Sequence, residues 1–295
     1  MATWKPWTEQ DHLAFMASAN ISKSIVSISS PGTHLVPGND ALAVNLTREC
    51  NEFAADLKRR NPDKFGFWAS LPLPDIQGSL TELAYALDVL NADGIAVLTN
   101  VHGVYLGDAT LAPIFAELSR RNATVFMHPT SPCIGNGVQT QAAAPLAKYP
   151  NPMFEFFFDT TRAIINLFLS GTVDKTPGVT YIVPHAGGAL PPVIERFTYF
   201  ATALLGINIS SDTVKKAFNR QFYFDLAGFV FPDQIYGLLR DVNASRILYG
   251  SDYPYTPGVG VIQLAQLLNQ DIGTAIPSQA DQIAVYRGNA EALLQ

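Results

Sequence analysis

Two of the five histidines close apolar runs, Phe126-Met127-His128-Pro129 and Val183-Pro184-His185-Ala186-Gly187-Gly188. Two aspartates hold comparable places further along, Asp225 in Phe224-Asp225-Leu226 and Asp252 in Tyr249-Gly250-Ser251-Asp252-Tyr253-Pro254. In parallel α/β proteins the loops after such runs converge on one crevice. A lone buried carboxylate is costly, so each aspartate is expected beside a cation, a metal or hydrogen-bond donors. Imidazole and carboxylate together suit Zn2+ or Mn2+. A single residue of this kind reads best as a strand cap; four in register read as a metal-type site.

The other polar residues carry less. His12 lies at a polar-to-apolar helix start and is expected at the surface or as a cap. His34 and His102 fall in loops after strands, where each either lines a substrate pocket or serves its own loop. Gly187-Gly188 lacks both GxGxxG and the P-loop lysine. Ser251 is outside any GxSxG elbow, and Cys133 has no basic neighbour to lower its pKa. Trp68, Phe154, Phe229 and Phe231 offer surface to a ring, with core packing the plainer reading of each.

Positioning these residues requires alternating elements. Strands are expected over 24–29, 65–70, 94–99, 124–128, 180–185, 222–226 and 246–250. Most of these runs are continuously apolar, as in strands buried on both faces. Helices are expected over 39–60, 77–90, 110–121, 154–171, 190–205, 232–241, 259–268 and 278–294. Repeated β-then-α implies parallel strands with right-handed crossovers. Seven strands suit an open doubly wound sheet, whereas a closed barrel needs eight. The connection 129–152 holds five prolines and two glycines and reads as a lid or as a stiffened excursion. No linker divides the chain, so residues 1–295 are expected to form one domain.

Composition excludes other classes. Hydrophobic residues make up 48 % and charged residues 15 % of the 295, which provides for a large core. The net charge is −6 with no Lys/Arg cluster, so nucleic acid is not an expected partner. Cys50 and Cys133 make no disulfide framework. No apolar run approaches the ~18 residues of a membrane span, and the N-terminus does not read as a secretory signal. A soluble cytoplasmic protein is expected.

Five segments taken in order resemble a known family. They are Phe126-Met127-His128-Pro129, Phe158-Asp159-Thr160-Thr161-Arg162, Pro184-His185-Ala186-Gly187-Gly188-Ala189-Leu190-Pro191, Tyr249-Gly250-Ser251-Asp252-Tyr253-Pro254 and Gly288-Asn289-Ala290. Together they resemble the ACMSD-like decarboxylases of the amidohydrolase superfamily, most of all the fungal 6-methylsalicylate decarboxylases of polyketide pathways. The resemblance implies a (β/α)8 TIM barrel with one divalent metal, Zn2+ first and Mn2+ second. It implies His128 and Asp252 as metal ligands, and His185 as the proton donor with Asp252 the runner-up. It further implies Asp225 as the partner that holds the His185 tautomer, with Arg162, Phe154 and His102 on the substrate side. The substrate implied is a small aromatic 2-hydroxy acid, and the assembly a homodimer. A metal-dependent hydrolase of lactonase type and an inactive relative are the alternative readings.

Family members also carry a first strand with HxH or ExH, which supplies two more ligands. Neither motif occurs in these residues, and Trp4-Lys5-Pro6-Trp7-Thr8 resembles the segment after that strand. The barrel is therefore expected to lack its first strand in this chain. The favoured explanation is a gene model that starts at an internal Met; an inactive relative, or substitution by His34 or His102 as ligands, are the others.

Overall fold

The computed structural model describes residues 6–135, 140–146 and 148–294. Seven strands form one sheet: β1 Ser24–Val26, β2 Phe65–Ser70, β3 Gly94–Leu98, β4 Thr124–His128, β5 Thr180–Val183, β6 Phe222–Asp225 and β7 Ile247–Leu248. Each pairs in parallel with the next in chain order. A doubly wound sheet reverses its strand order at a switch point, and this one never does. Crossovers that always step the same way curl a twisted sheet toward a barrel, so the open-sheet alternative falls. Among the described residues β1 and β7 do not pair with each other. Of the opening segment compared with the family, residues 4 and 5 lie outside the described residues.

The pleat sorts the strand side chains into two layers. Phe67, Ile95, Val125, Tyr181 and Phe224 face outward and join the helices in the main core. Trp68, Ala96, Ile182 and Leu248 face inward and form a second cluster, with Phe126 and Tyr223 packed against it. His128 and Asp225 each stand two residues beyond an inward aromatic. The period of two therefore aims both into the interior.

The helices that cover the sheet begin where the sequence supplies caps. The side chains of Thr8, Asn39 and Asp75 accept the backbone N–H three residues on, opening α1 Glu9–Ser18, α2 Asp40–Arg60 and α3 Ile76–Asp88. They are followed by α4 Ala112–Arg120 and α5 Glu155–Leu169. The expected closing helix is broken by a π turn, Ala284–Gly288, between Gln279–Ile283 and Asn289–Leu293.

One helix, Ser211–Gln221, escapes the sequence reading because Asp212, Lys215, Lys216 and Arg220 dilute its apolar stripe. Its signals were the Ser210 cap and the burial of Val214, Ala217, Phe218 and Gln221 at helical spacing. Two antiparallel ribbons also rise on the rim, one pairing Asn100–Val101 with Val104–Tyr105 and the other Cys133–Gly135 with Thr140–Ala142. The second belongs to the connection read as a lid, of which residues 136–139 and 147 lie outside the described residues. Among the described residues no helix is long and apolar enough to cross a membrane.

Candidate active site

His128 ends β4, and its Nδ1 lies 2.6 Å from its neighbour's carbonyl, Pro129 O. His185 follows β5, and its Nδ1 lies 2.9 Å from Ala227 O. A carbonyl only accepts, so each ring must carry its proton on Nδ1 and leave the Nε2 lone pair bare. Among the described residues none hydrogen-bonds to either Nε2. Ring orientation of this kind is how proteins prepare a histidine to bind a metal or move a proton. Burial holds the His128 ring at about 4, so it is neutral at pH 7.

The turn at His185 is left-handed, with φ of 55° at His185 and 52° at Ala186. Such geometry costs about 1–3 kcal/mol per non-glycine residue and persists only where the surroundings impose it. Here Asp225 Oδ1 accepts the backbone N–H of His185 at 3.0 Å, and Gln234 Nε2 donates to the His185 carbonyl at 2.7 Å. Gly188 lets the turn press against α5, since a Cβ there would stand 2.7 Å from Phe157 O.

Asp225 was expected to hold the ring of His185. Its Oδ1 instead accepts two backbone N–H groups, those of His185 and Ala227, both at 3.0 Å. The ring falls to the Ala227 carbonyl, because the left-handed turn presents the main chain of His185 toward β6. Burial pushes the Asp225 carboxyl above its usual range, against the pull of His185 and of the two N–H donors. Asp252 also has a left-handed backbone, φ 57°. Thr256 ties it down twice, its N–H to the Asp252 carbonyl and its Oγ1 to Asp252 Oδ2, both at 2.8 Å. Tyr253 continues the turn and stacks flat on Phe15 of α1 at 4.0 Å.

These four residues act on one another electrostatically: His185 on His128, and both His185 and Asp252 on Asp225. Aromatic edges close the same space. Phe156 approaches the His128 ring at 6.5 Å and Phe157 approaches the His185 ring at 5.4 Å. Phe154, expected on the substrate side, is the residue that precedes α5. Trp68 belongs to the interior layer, Phe231 to the outer core, and Phe229 is 78 % exposed.

The remaining expectations are met elsewhere. His34 and His102 bond to each other, Nδ1 to Nε2 at 3.0 Å. His12 is buried, not superficial. It takes the Trp7 Nε1–H on Nδ1 at 2.9 Å, and its ring packs edge-on against Phe65 and Tyr253. Arg162 is half-exposed and lies 3.6 Å from Asp159.

Asp159 is the residue whose importance the sequence hid. It is fully buried and accepts from Asn100 Nδ2 at 2.9 Å, Tyr105 OH at 2.5 Å and Thr99 Oγ1. It thereby pins the first rim ribbon to the helix that carries Phe156 and Phe157. The signal available was a carboxylate four residues into a helix whose surrounding residues Phe156, Phe157, Phe158 and Ala163 are apolar.

The donor chemistry at the site suits a divalent ion: imidazoles whose Nδ1 is committed to a backbone carbonyl, beside carboxylates. Among the described residues, however, no three of His, Cys, Asp and Glu gather as a metal-binding group.

Seven parallel strands paired in chain order define an α/β protein of the barrel type, in which polar groups at the strand C-termini form the site. The comparisons make this specific. The model of the amidohydrolase family (Amidohydro_2) matches residues 1–295, and the chain belongs to that family. It is 37 % identical over 260 residues to the decarboxylase macB of Penicillium terrestre, covering 85 % of this chain and 75 % of that protein. It is 35 % identical over 267 residues to a 6-methylsalicylic acid decarboxylase of Penicillium expansum, covering 89 % and 80 %.

Among solved structures, an amidohydrolase II superposes with a TM-score of 0.88 at 33 % identity, over 99 % of this chain and 90 % of that one. A dihydroxybenzoic acid decarboxylase of Polaromonas, solved with manganese and 2-nitroresorcinol, shares the fold at 0.80 and 20 % identity, over 97 % and 86 %.

Proposed function

We propose that the chain is a metal-dependent, non-oxidative decarboxylase of a small aromatic 2-hydroxy acid of the 6-methylsalicylate type, working as one domain. The observation that carries this is the pair of half-buried histidines, His128 and His185, each with Nδ1 committed to a backbone carbonyl and Nε2 bare, beside Asp225 and Asp252. The similarity to fungal aromatic-acid decarboxylases supports the substrate class.

His128 and Asp252 are the proposed ligands of one divalent ion, Zn2+ or Mn2+, which would supply Lewis acidity toward the carboxylate and phenol oxygens. His185 does the proton work. Its Nδ1–H stays on Ala227 O, and its Nε2, after taking up a proton from water, delivers that proton to the ring carbon that bears the carboxylate. The C–C bond then breaks, its electron pair restores the aromatic ring, and CO2 leaves. Asp225 keeps the His185 main chain in the turn that aims the ring. Phe156 and Phe157 keep water from the reacting face. Arg162, Phe154 and His102 remain candidates for the outer wall of the substrate site. A homodimer is the proposed assembly, read by light scattering.

The test is incubation of the full chain, loaded with Zn2+ or Mn2+, with 6-methylsalicylate. Release of CO2 and 3-methylphenol is the expected result. If no 2-hydroxybenzoate in a panel yields CO2 while lactones are opened, the hydrolase alternative replaces this reading.

A further inference from the structure

The turn after β5 is an uncommon run of backbone. His185, Ala186, Gly187 and Gly188 all have positive φ, at 55°, 52°, 81° and 61°. The two that carry a side chain keep such a conformation only where the surroundings impose it. Within the turn, the Gly187 N–H returns to Pro184 O at 3.1 Å and the Gly188 N–H to His185 O at 3.0 Å. These bonds close the turn on itself and do not fix its place in the barrel.

Its place is fixed largely by one segment, the end of β6 and the loop that follows. Asp225 Oδ1 takes the His185 N–H at 3.0 Å, and Ala227 O takes the ring Nδ1–H at 2.9 Å. Gly228 lies against the ring: a Cβ there would stand 3.3 Å from His185 Nδ1, and its φ of 80° favours glycine. Gln234 closes the grip from the carbonyl side. Its Nε2 lies 2.7 Å from His185 O and 3.2 Å from Gly188 O. Both partners are carbonyls that only accept, so the amide must turn its nitrogen to them, with one N–H for each. One half-buried side chain thus joins the first and last carbonyls of the left-handed run. Its own backbone is anchored. Gln234 opens the short helix Gln234–Leu239, and the next residue, Ile235, is fully buried with its N–H on Val230 O at 3.0 Å.

We propose that Gln234 is a positioning residue that sets the direction of the His185 ring. Asp225 and Gln234 hold the N–H and the C=O of the same residue. Peptide groups are planar, so holding both fixes the planes on either side of the His185 Cα and with them the direction of Cβ. Ala227 O and the bare Gly228 then settle the ring torsions. Without the two N–H donors of Gln234, the plane after His185 is free to turn, and the ring swings away from Ala227 O. The value of that aim rests on the decarboxylase reading, in which His185 must meet one carbon of the substrate ring. A donor displaced by about 1 Å forfeits much of its rate.

The full chain carries the test. In 15N-histidine NMR the Nδ1–H groups of His128 and His185, each on a backbone carbonyl, are expected as protected signals. Gln234→Leu keeps the bulk and removes both donors. It is expected to shift or broaden the His185 signal and to leave that of His128 in place. In turnover it is expected to lower kcat about ten- to a hundredfold with KM within about twofold. Gln234→Glu keeps the shape but puts acceptors where donors are needed; it is expected to lose at least as much, and it serves where the leucine variant does not fold. An unmoved His185 signal, or a wild-type kcat with only Tm lowered, would overturn the assignment and leave Gln234 a contact that stabilises the fold. If the wild type releases no CO2, the decarboxylase reading falls, and the His185 signal set against that of His128 still decides whether Gln234 aims the ring.

Discussion

Two pairs of histidines stand on the same end of the sheet and are held in opposite ways. His128 and His185 give Nδ1 to backbone carbonyls and keep Nε2 open. His34 and His102 give ring nitrogens to each other and to Asp40. A carbonyl cannot titrate, so the first pair has a fixed tautomer and a directed lone pair. The hydrogen bond between the two rings of the second pair can run in either direction, so it leaves their tautomers open. Identical side chains are thus prepared for different work by their hydrogen-bond partners alone. A second contrast lies in the backbone. His185 and Asp252 are both left-handed, but His185 is held by the side chains of Asp225 and Gln234 and Asp252 by Thr256 and an aromatic stack.

The comparison breaks first at His185. His185→Gln is expected to lower kcat by about 10²–10⁴ with Tm little changed, since the ring makes one hydrogen bond at the surface of the site. A loss within threefold would erase the distinction between the two pairs.

The next effect in size is structural. Asp159→Asn leaves buried donors with a neutral, half-matched acceptor and is expected to cost about 2–3 kcal/mol in urea unfolding. Because the first rim ribbon loses its anchor, KM should rise as well. A loss confined to stability would separate that ribbon from the substrate mouth.

Acid sharpens the contrast between buried and working histidines. Burial lowers His12 from 6.5 to about 4. A depressed histidine contributes stability fully above its unfolded value, and that stability is lost as pH falls from 6.5 through 4. The expected loss is about 1–2 kcal/mol once solvent screening is allowed for. Denaturant midpoints at pH 7 and 4.5 measure it, and His12→Gln should flatten the difference.

The smallest effect is expected at Tyr253. Tyr253→Phe keeps the ring on Phe15 and should change stability by less than about 0.5 kcal/mol, whereas Tyr253→Ala removes the stack and should lower kcat with it. If the two variants behave alike, the stack is not what holds Asp252.

The amino-acid sequence by itself determined most of the order of strands and helices, because that order is written in local periodicity: apolar runs of four to six residues and helical stripes. It also placed His128 and Asp225 in apolar strand runs. The family was legible from segments spread along the chain, confirmed over residues 1–295. Tertiary structure alone decided the rest. That Ala227 and not Asp225 holds the His185 ring, that His12 is buried, and that Asp159 ties α5 to the rim all depend on which groups meet across 40 or more residues of chain. Periodicity extends only as far as the element that carries it. Hydrogen-bond partners, and with them tautomer and charge, are chosen by contacts between elements.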